Sequence, residues 1–209
     1  LVHLSMKLSE KRQNAALRLA AKVEQELASL KMPGTRFEVS LSTLPQTGRG
    51  EPWLETEGKT IQATGIDQAT FMIAPNVGEE LKPLAGIASG GELSRVVLAL
   101  KAILAETDSV ETVVFDEVDA GIGGGVAEVV GRKLASLARR HQVICITHLA
   151  QIAKFGDHHM SISKSVSKGR TRTSITSLDK ESRLKEIARM LSGEEITPAT
   201  LNHAREILG

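Results

Sequence analysis

The stretch "ETVVFDEVDAG", residues 111–121, limits what this chain can fold into more than any other. Four apolar-leaning residues run straight into two adjacent carboxylates, Asp116 and Glu117. A short strand that is apolar at successive positions belongs to a parallel sheet covered on both faces. A helical pattern follows over about 124–140, and "QVICITH" is a second such strand, ending at His148. Strand, helix and strand at this spacing make a βαβ unit, so this half is predicted to be α/β, a parallel sheet flanked by helices. Open sheets of this kind bind ligands beyond the carboxyl ends of their strands. Asp116, Glu117 and His148 are therefore predicted to share one ligand-facing edge.

Those residue types suit hydrolysis of a nucleotide. Asp116 can hold Mg²⁺, directly or through water, and Glu117 can orient and deprotonate an attacking water. His148 can sense or polarise a phosphate. The plain alternative is a strand that ends in a polar turn, with a structural histidine nearby. Two further features weigh against it. "ASGGELSR" (88–95) pairs Ser89 with Glu92 in the spacing of a helix capping box. Gly90 and Gly91 are nonetheless poor residues for a first helical turn, at roughly 1 kcal/mol each relative to Ala. They make sense where something approaches the backbone closely, and a bare helix N-terminus favours an anion such as phosphate. "DAGIGGG" (119–125) is a glycine-rich turn leading from the carboxylates into the next helix.

A phosphate loop would read G-x-x-x-x-G-K-[ST]. The sole "GKT" is Gly58-Lys59-Thr60, and Trp53 stands where the first glycine belongs. No apolar strand precedes it, so it is read as a decoy in a loop. The chain carries the hydrolytic part of a nucleotide site without the part that grips the phosphates.

Elsewhere, residues 1 to about 32 form one helical pattern. Leu1, Leu4 and Leu8 make one seam, and Ala16, Ala20, Val23, Leu27 and Leu30 another, out of phase with the first across "KRQNA". The pattern is that of a coiled-coil stub or of an ordinary amphipathic helix. Pro33 and Gly34 stop it. "RFEVSLSTL" alternates as a half-buried strand, residues 45–60 read as a loop or hairpin, and "QATFMIAPN" reads as a strand ended by Pro75. The segments "HHMSISKSV" and "TRTSITSL" read as a hairpin around Lys168-Gly169, and two helices near 180–191 and 198–208 close the chain. Aromatics are 2% of residues, which disfavours a base-stacking platform for single strands. A net charge of +1 leaves any basic surface local. The lone Cys145 excludes an internal disulfide and reads as a small core residue in a reducing compartment. No run is long enough for a membrane helix, and a cytoplasmic location is expected.

The order "SGGE", "VVFDEVD", "TH" resembles the C-terminal lobe of an ABC-type P-loop ATPase head, with its signature motif, Walker B strand, D-loop and switch histidine. The fuller strings "GIASGGELSRVVLALKAIL", "VFDEVDAGIGG", "QVICITHLAQIAKFGDHH" and "EIARMLSGEEIT" resemble the RecN family of bacterial DNA repair proteins, relatives of the SMC proteins. The likeness runs from about residue 70 to the end, and the first helix fits the returning end of a coiled-coil arm. The resemblance implies an arm end over 1–33 and a head lobe over 34–209. It implies ATP and Mg²⁺ as ligands. Ser89, Gly90, Gly91 and Glu92 would meet ATP held by an opposite head. Asp116 would support the metal, Glu117 would be the base, His148 the switch, and Asp119 would lie at the head-to-head interface. Implied partners are an N-terminal lobe carrying Walker A, a second head, and DNA bound without regard to sequence, in bacterial cytoplasm at the nucleoid. The chain alone is expected to turn over no ATP, because phosphoryl transfer depends on positioning.

Lys164, Lys168, Arg170 and Arg172 carry no acid among them. They are either a solvated hairpin tip or a contact for DNA phosphates. Two rival functions stand beside the RecN-like head: the head of another SMC or ABC-type ATPase, and a non-catalytic dimerisation module. Intact Asp116, Glu117 and His148 count against the module.

Overall fold

The computed structural model describes residues 1–43, 55–56, 59–86, 90–105, 110–167, 170–193 and 195–209. The chain forms two compact units, Leu1–Leu104 and Ala105–Gly209.

The first unit opens with a single 28-residue helix, α1 (Val2–Ser29), that runs unbroken through "KRQNA". Its two seams have separate fates. Val23, Leu27 and Leu30 are fully buried against the rest of the unit, while Leu1, Leu4, Met6 and Leu17 stand open to solvent. The left-handed backbone at Lys31 (φ 62°) and Gly34 (φ 78°) then reverses the chain. Strands β1 (Arg36–Thr43) and β4 (Asp67–Ala74) pair antiparallel in full register, from Arg36 opposite Ala74 to Thr43 opposite Asp67. The short β5 (Lys82–Pro83) adds to the other side of β4, and a 3-10 turn (Leu84–Gly86) follows. Two-residue strands β2 (Glu55–Thr56) and β3 (Lys59–Thr60) pair with each other, so the sole "GKT" threonine lies in a β-strand and not at the start of a helix. Three side-chain links tie α1 to this sheet. Ser9 Oγ and Arg12 Nη1 donate to the buried Asp67 carboxylate at 2.7 and 3.2 Å, and Glu24 accepts from the Phe37 N–H at 2.9 Å. The unit ends in α2 (Gly90–Leu104), which buries Gly91, Arg95, Val96, Leu98 and Ala99.

The second unit carries the βαβ motif. Strands β6 (Thr112–Phe115) and β7 (Gln142–Cys145) pair in parallel, Thr112 opposite Gln142 and Phe115 opposite Cys145. Between them α3 (Gly124–Leu137) buries Ala127, Val130, Leu134 and Leu137, a three-four stripe on one face. The hydrogen bond between His141 Nδ1 and the Val110 carbonyl (2.6 Å) ties the start of one strand to the start of the other. Gly131 of α3 lets the next helix, α4 (Ala150–Ala153), come close: a β-carbon there would stand 2.4 Å from the Phe155 ring. The hairpin of β8 (Met160–Ser167) and β9 (Arg170–Ser177) is as expected, with Lys168 and Gly169 outside the described residues. Helices α5 (Lys180–Ser192) and α6 (Pro198–Leu208) pack as a pair around Ile187, Ala188 and Ala204 with Ala150.

One expectation is corrected. The β6–β7 sheet is parallel, yet only one of its faces is covered. Val113 and Phe115 are buried, whereas Val114 is 60% exposed and Ile144 and Ile146 are each 48% exposed. The apolar run records a second layer that the described residues of this unit do not supply.

Candidate active-site edge

Strand β6 ends at Phe115, and the chain turns at once. Asp116 and Glu117 are both exposed, while Val118 is fully buried and pins the turn to the core. Glu117 takes a left-handed backbone, φ 56°, which is costly for a residue with a β-carbon. Strain of this kind, roughly 1–3 kcal/mol, persists where the surroundings impose it and clusters at functional sites. Here the imposing contacts are the Ala120 N–H bond to the Glu117 carbonyl (3.0 Å) and the Ile122 N–H bond to the Asp119 carbonyl (3.2 Å). They close two consecutive turns and leave the Glu117 side chain exposed at the strand's C-terminal edge.

Strand β7 ends directly beside β6, with Cys145 opposite Phe115. The Ile146 N–H donates to the Phe115 carbonyl at 2.9 Å and extends the parallel ladder by one residue. Thr147 and His148 therefore emerge at the same edge as Asp116 and Glu117, as the spacing predicts. The two chain ends are joined by Asp119. Its carboxylate is only 4% exposed, and Oδ2 accepts from Thr147 Oγ1 at 2.5 Å and from the His148 N–H at 3.0 Å, with His148 Nδ1 at 3.1 Å. Thr147 Oγ1 in turn accepts the Leu149 N–H at 3.0 Å. A carboxylate beside Nδ1 holds the ring proton there and leaves Nε2 of neutral His148 outward as an acceptor. The ring itself is 73% exposed.

The resemblance implies a place for Asp119 at a head-to-head interface; within this chain its carboxylate is buried and bonded to Thr147 and His148. The sequence reading missed Thr147 altogether. Its signal is faint: a hydroxyl residue directly before the histidine, with its partner 28 positions away.

Cys145 also differs from its expected role. It is half-buried at the end of β7, and burial, with Asp119 and Asp116 nearby, pushes its thiol up to about 12. The carboxylate cluster that an all-protein metal cage needs is absent: among the described residues no three His, Cys, Asp or Glu side chains gather to hold an ion. The exposed pair of Asp116 and Glu117 fits Mg²⁺, which is held by one or two carboxylates, with waters and substrate phosphates as its other ligands.

In the first unit, Gly90 is exposed and Gly91 buried at the start of α2, with Glu92 in the first turn. Ser89, and with it the expected capping box, lies outside the described residues. Burial lowers the Arg95 guanidinium from its ordinary value, and Glu92 opposes that shift. Among the basic hairpin residues, Lys164, Arg170 and Arg172 are exposed, and Lys168 lies outside the described residues. No described helix is long and apolar enough to cross a membrane.

The α/β fold that carries this edge is that of an SMC head domain. The Smc head domain with a coiled coil and joint from Pyrococcus yayanosii matches 87% of this chain and 30% of that one, with a TM-score of 0.53 at 20% identity, a likeness of fold alone. No family model matches the chain. Among individual proteins, it is 40% identical over 203 residues to the DNA repair protein RecN of Bacillus subtilis. It is 42% identical to the RecN proteins of Streptomyces coelicolor, over 207 residues, and Deinococcus radiodurans, over 209. These matches take in 96%, 98% and 100% of this chain and 35%, 36% and 34% of those proteins. The chain is similar to these RecN proteins along nearly its whole length and spans about a third of theirs.

Proposed function

We propose that the chain is the C-terminal half of a RecN-type ATPase head and hydrolyses ATP when an N-terminal lobe supplies the phosphate-gripping loop. The carrying observation is the joined edge: Glu117, exposed on a strained turn, and His148, oriented by the buried Asp119, stand at adjacent strand ends. In this reading Glu117 is the general base that takes the proton from the attacking water. His148 faces the transferring phosphate with Nε2. Asp116 would hold Mg²⁺, which neutralises phosphate charge when bound. The first turn of α2, with Gly90, Gly91 and Glu92, offers backbone N–H groups to ATP carried by a second head, and Ser89, next to it in sequence, is assigned the same ligand, so the working unit is a pair of heads. The relatives are described as DNA repair proteins, and DNA bound without regard to sequence is the proposed nucleic-acid partner.

The open face of β6–β7 supports an N-terminal lobe as the missing layer. Val114, Ile144 and Ile146 are apolar and uncovered, and burying side chains of this size is worth roughly 1.5–3 kcal/mol each. The exposed seam of Leu1, Leu4 and Leu8 along α1 supports a partner helix there, as in the end of a coiled-coil arm over 1–33.

ATP turnover measured for this chain, for this chain with the matching N-terminal lobe, and for that mixture with Glu117→Gln tests the proposal. Activity is expected in the wild-type mixture alone, with a loss on the order of 100- to 10,000-fold for Glu117→Gln. A folded complex that binds ATP and shows equal turnover with Glu117→Gln would exclude Glu117 as the base. Binding without any turnover, with DNA supplied, would favour a non-catalytic dimerisation module.

A further inference from the structure

The four basic residues near the hairpin look like one cluster in the sequence, and the strand register divides them. Facing residues of an antiparallel pair share a side of the ribbon, and successive residues alternate. Lys164 faces Thr173, on the side that also holds Met160, Ile162 and Val166 of β8 and Ile175 of β9. The apolar residues of that side are uncovered: Met160 is 62% exposed, Val166 75% and Ile175 66%. Arg172 faces Ser165, and Arg170 lies two residues along on the same, opposite side. With them stand Ser161, Ser163, Ser174 and Thr176. One side of the ribbon therefore holds Met160, Ile162, Val166 and Ile175 together with Lys164 and the hydroxyls of Thr171, Thr173 and Ser177, and the other is all hydroxyls and guanidinium groups.

Residues 160–178 contain no Asp or Glu, so no carboxylate of the hairpin neutralises this side. Every residue of β9 is exposed. Arginine and serine or threonine hydroxyls are the side chains that contact phosphate oxygens of duplex DNA, and a two-stranded ribbon is narrow enough to enter its major groove. A solvated tip does not require this sorting. Charge placed only for solubility would fall on either side, whereas here both guanidinium groups lie on the side that carries no apolar residue.

We infer that the hydroxyl-arginine side of the β8–β9 ribbon, centred on Arg170 and Arg172, is a phosphate-binding surface for duplex DNA, and that Lys164 lies outside it. This rests on the proposal that DNA is a partner of the head, and it states which side of which element meets the duplex. Binding is electrostatic and indifferent to sequence, with hydroxyls adding hydrogen bonds to the backbone.

Arg172→Glu and Lys164→Glu form a matched test. Both positions are exposed, both changes alter the charge by the same amount, and the two sites sit at adjacent register steps on opposite sides. Affinity of the 209-residue chain for a fluorescent 30-base-pair duplex would be followed by anisotropy from about 50 to 200 mM salt. Arg172→Glu is expected to weaken binding about tenfold or more near 0.1 M salt and to reduce the salt slope by about 0.9 for each phosphate no longer neutralised. Lys164→Glu is expected to change affinity less than about threefold and to leave the slope in place. Equal losses for the two variants would overturn the assignment of a side, and so would an unaltered Arg172→Glu. Failure of the wild-type chain to bind duplex would overturn it as well. ATP turnover of the reassembled head is measured separately, so the loss of this surface and the loss of the ATPase proposal are told apart.

Discussion

Asp119 holds His148 at two points, through the backbone N–H at 3.0 Å and through Nδ1 at 3.1 Å, both on one buried carboxylate oxygen. The same oxygen accepts from Thr147 Oγ1. The end of one strand and the start of the next loop are thereby locked into a single piece, with the histidine proton placed on the inner nitrogen. Asp119→Ala should leave the Thr147 hydroxyl and the His148 N–H without their acceptor, at a cost of about 1–3 kcal/mol. Asp119→Asn keeps an acceptor and should cost less. Urea denaturation of the two variants measures the difference, and equal stabilities would show that the carboxylate ties nothing.

Glu117 at φ 56° carries a conformation that glycine adopts freely. Glu117→Gly should therefore be at least as stable as the wild type, while Glu117→Gln keeps the strained backbone and stays near it. Both should lower turnover in the reassembled head on the order of 100- to 10,000-fold. Thermal melts of the pair separate backbone strain from chemistry. A marked loss of stability in Glu117→Gly would mean that the Glu117 side chain makes stabilising interactions outweighing the relief.

Cys145 should resist alkylation in the folded chain. With the thiol pushed up to about 12 from an ordinary 9.0, the thiolate fraction at pH 8 is about a thousandfold lower than for a free cysteine. Iodoacetamide labelling followed by mass spectrometry should be slow in buffer and fast in denaturant. Comparable rates in both would show that neither burial nor the nearby Asp119 and Asp116 holds the thiol protonated.

His159 makes stability fall with acidification. Burial lowers its pKa in the fold, the nearby Arg183 lowers it further, and Glu186 opposes them. Its Nδ1 is buried without a hydrogen-bond partner. The unfolded chain then takes up a proton as pH falls through the ordinary value of 6.5, while the folded chain resists it. The contribution is complete above that value and declines below it, by at most about 1.4 kcal/mol per pH unit. Melting temperature between about pH 7.5 and 5.5 should drop in the wild type and drop less in His159→Gln. Parallel curves would assign the slope to other groups.

Gly131 is required by packing and not by its backbone angles. A methyl group there meets two carbons of the Phe155 ring at 2.4 and 2.7 Å and the Gln151 carbonyl at 3.1 Å. Gly131→Ala should cost about 1–3 kcal/mol through overpacking. Combining it with Phe155→Leu should recover part of that cost, since the ring is the main obstacle. A double-mutant cycle with no coupling would show that α3 and α4 yield without strain.

The sequence by itself determined the elements whose pattern is local. The apolar runs 112–115 and 142–146, with a three-four stripe between them, can satisfy their backbone and bury their side chains only as a βαβ unit, and that unit puts Glu117 and His148 at one edge. The run "QATFMIA" and the breaker Pro75 set β4 in the same way. Tertiary structure decided the rest, because it depends on partners far apart in the chain. Nothing near Asp119 announces that its carboxylate is buried beneath Thr147, 28 residues on. The two seams of α1 look alike as letters, yet only Val23, Leu27 and Leu30 find a sheet to cover them. Lys164 and Arg172 read as one basic cluster until the hairpin register sets them on opposite sides, since a strand's side-chain period of two is local but the face it presents is fixed by its pairing.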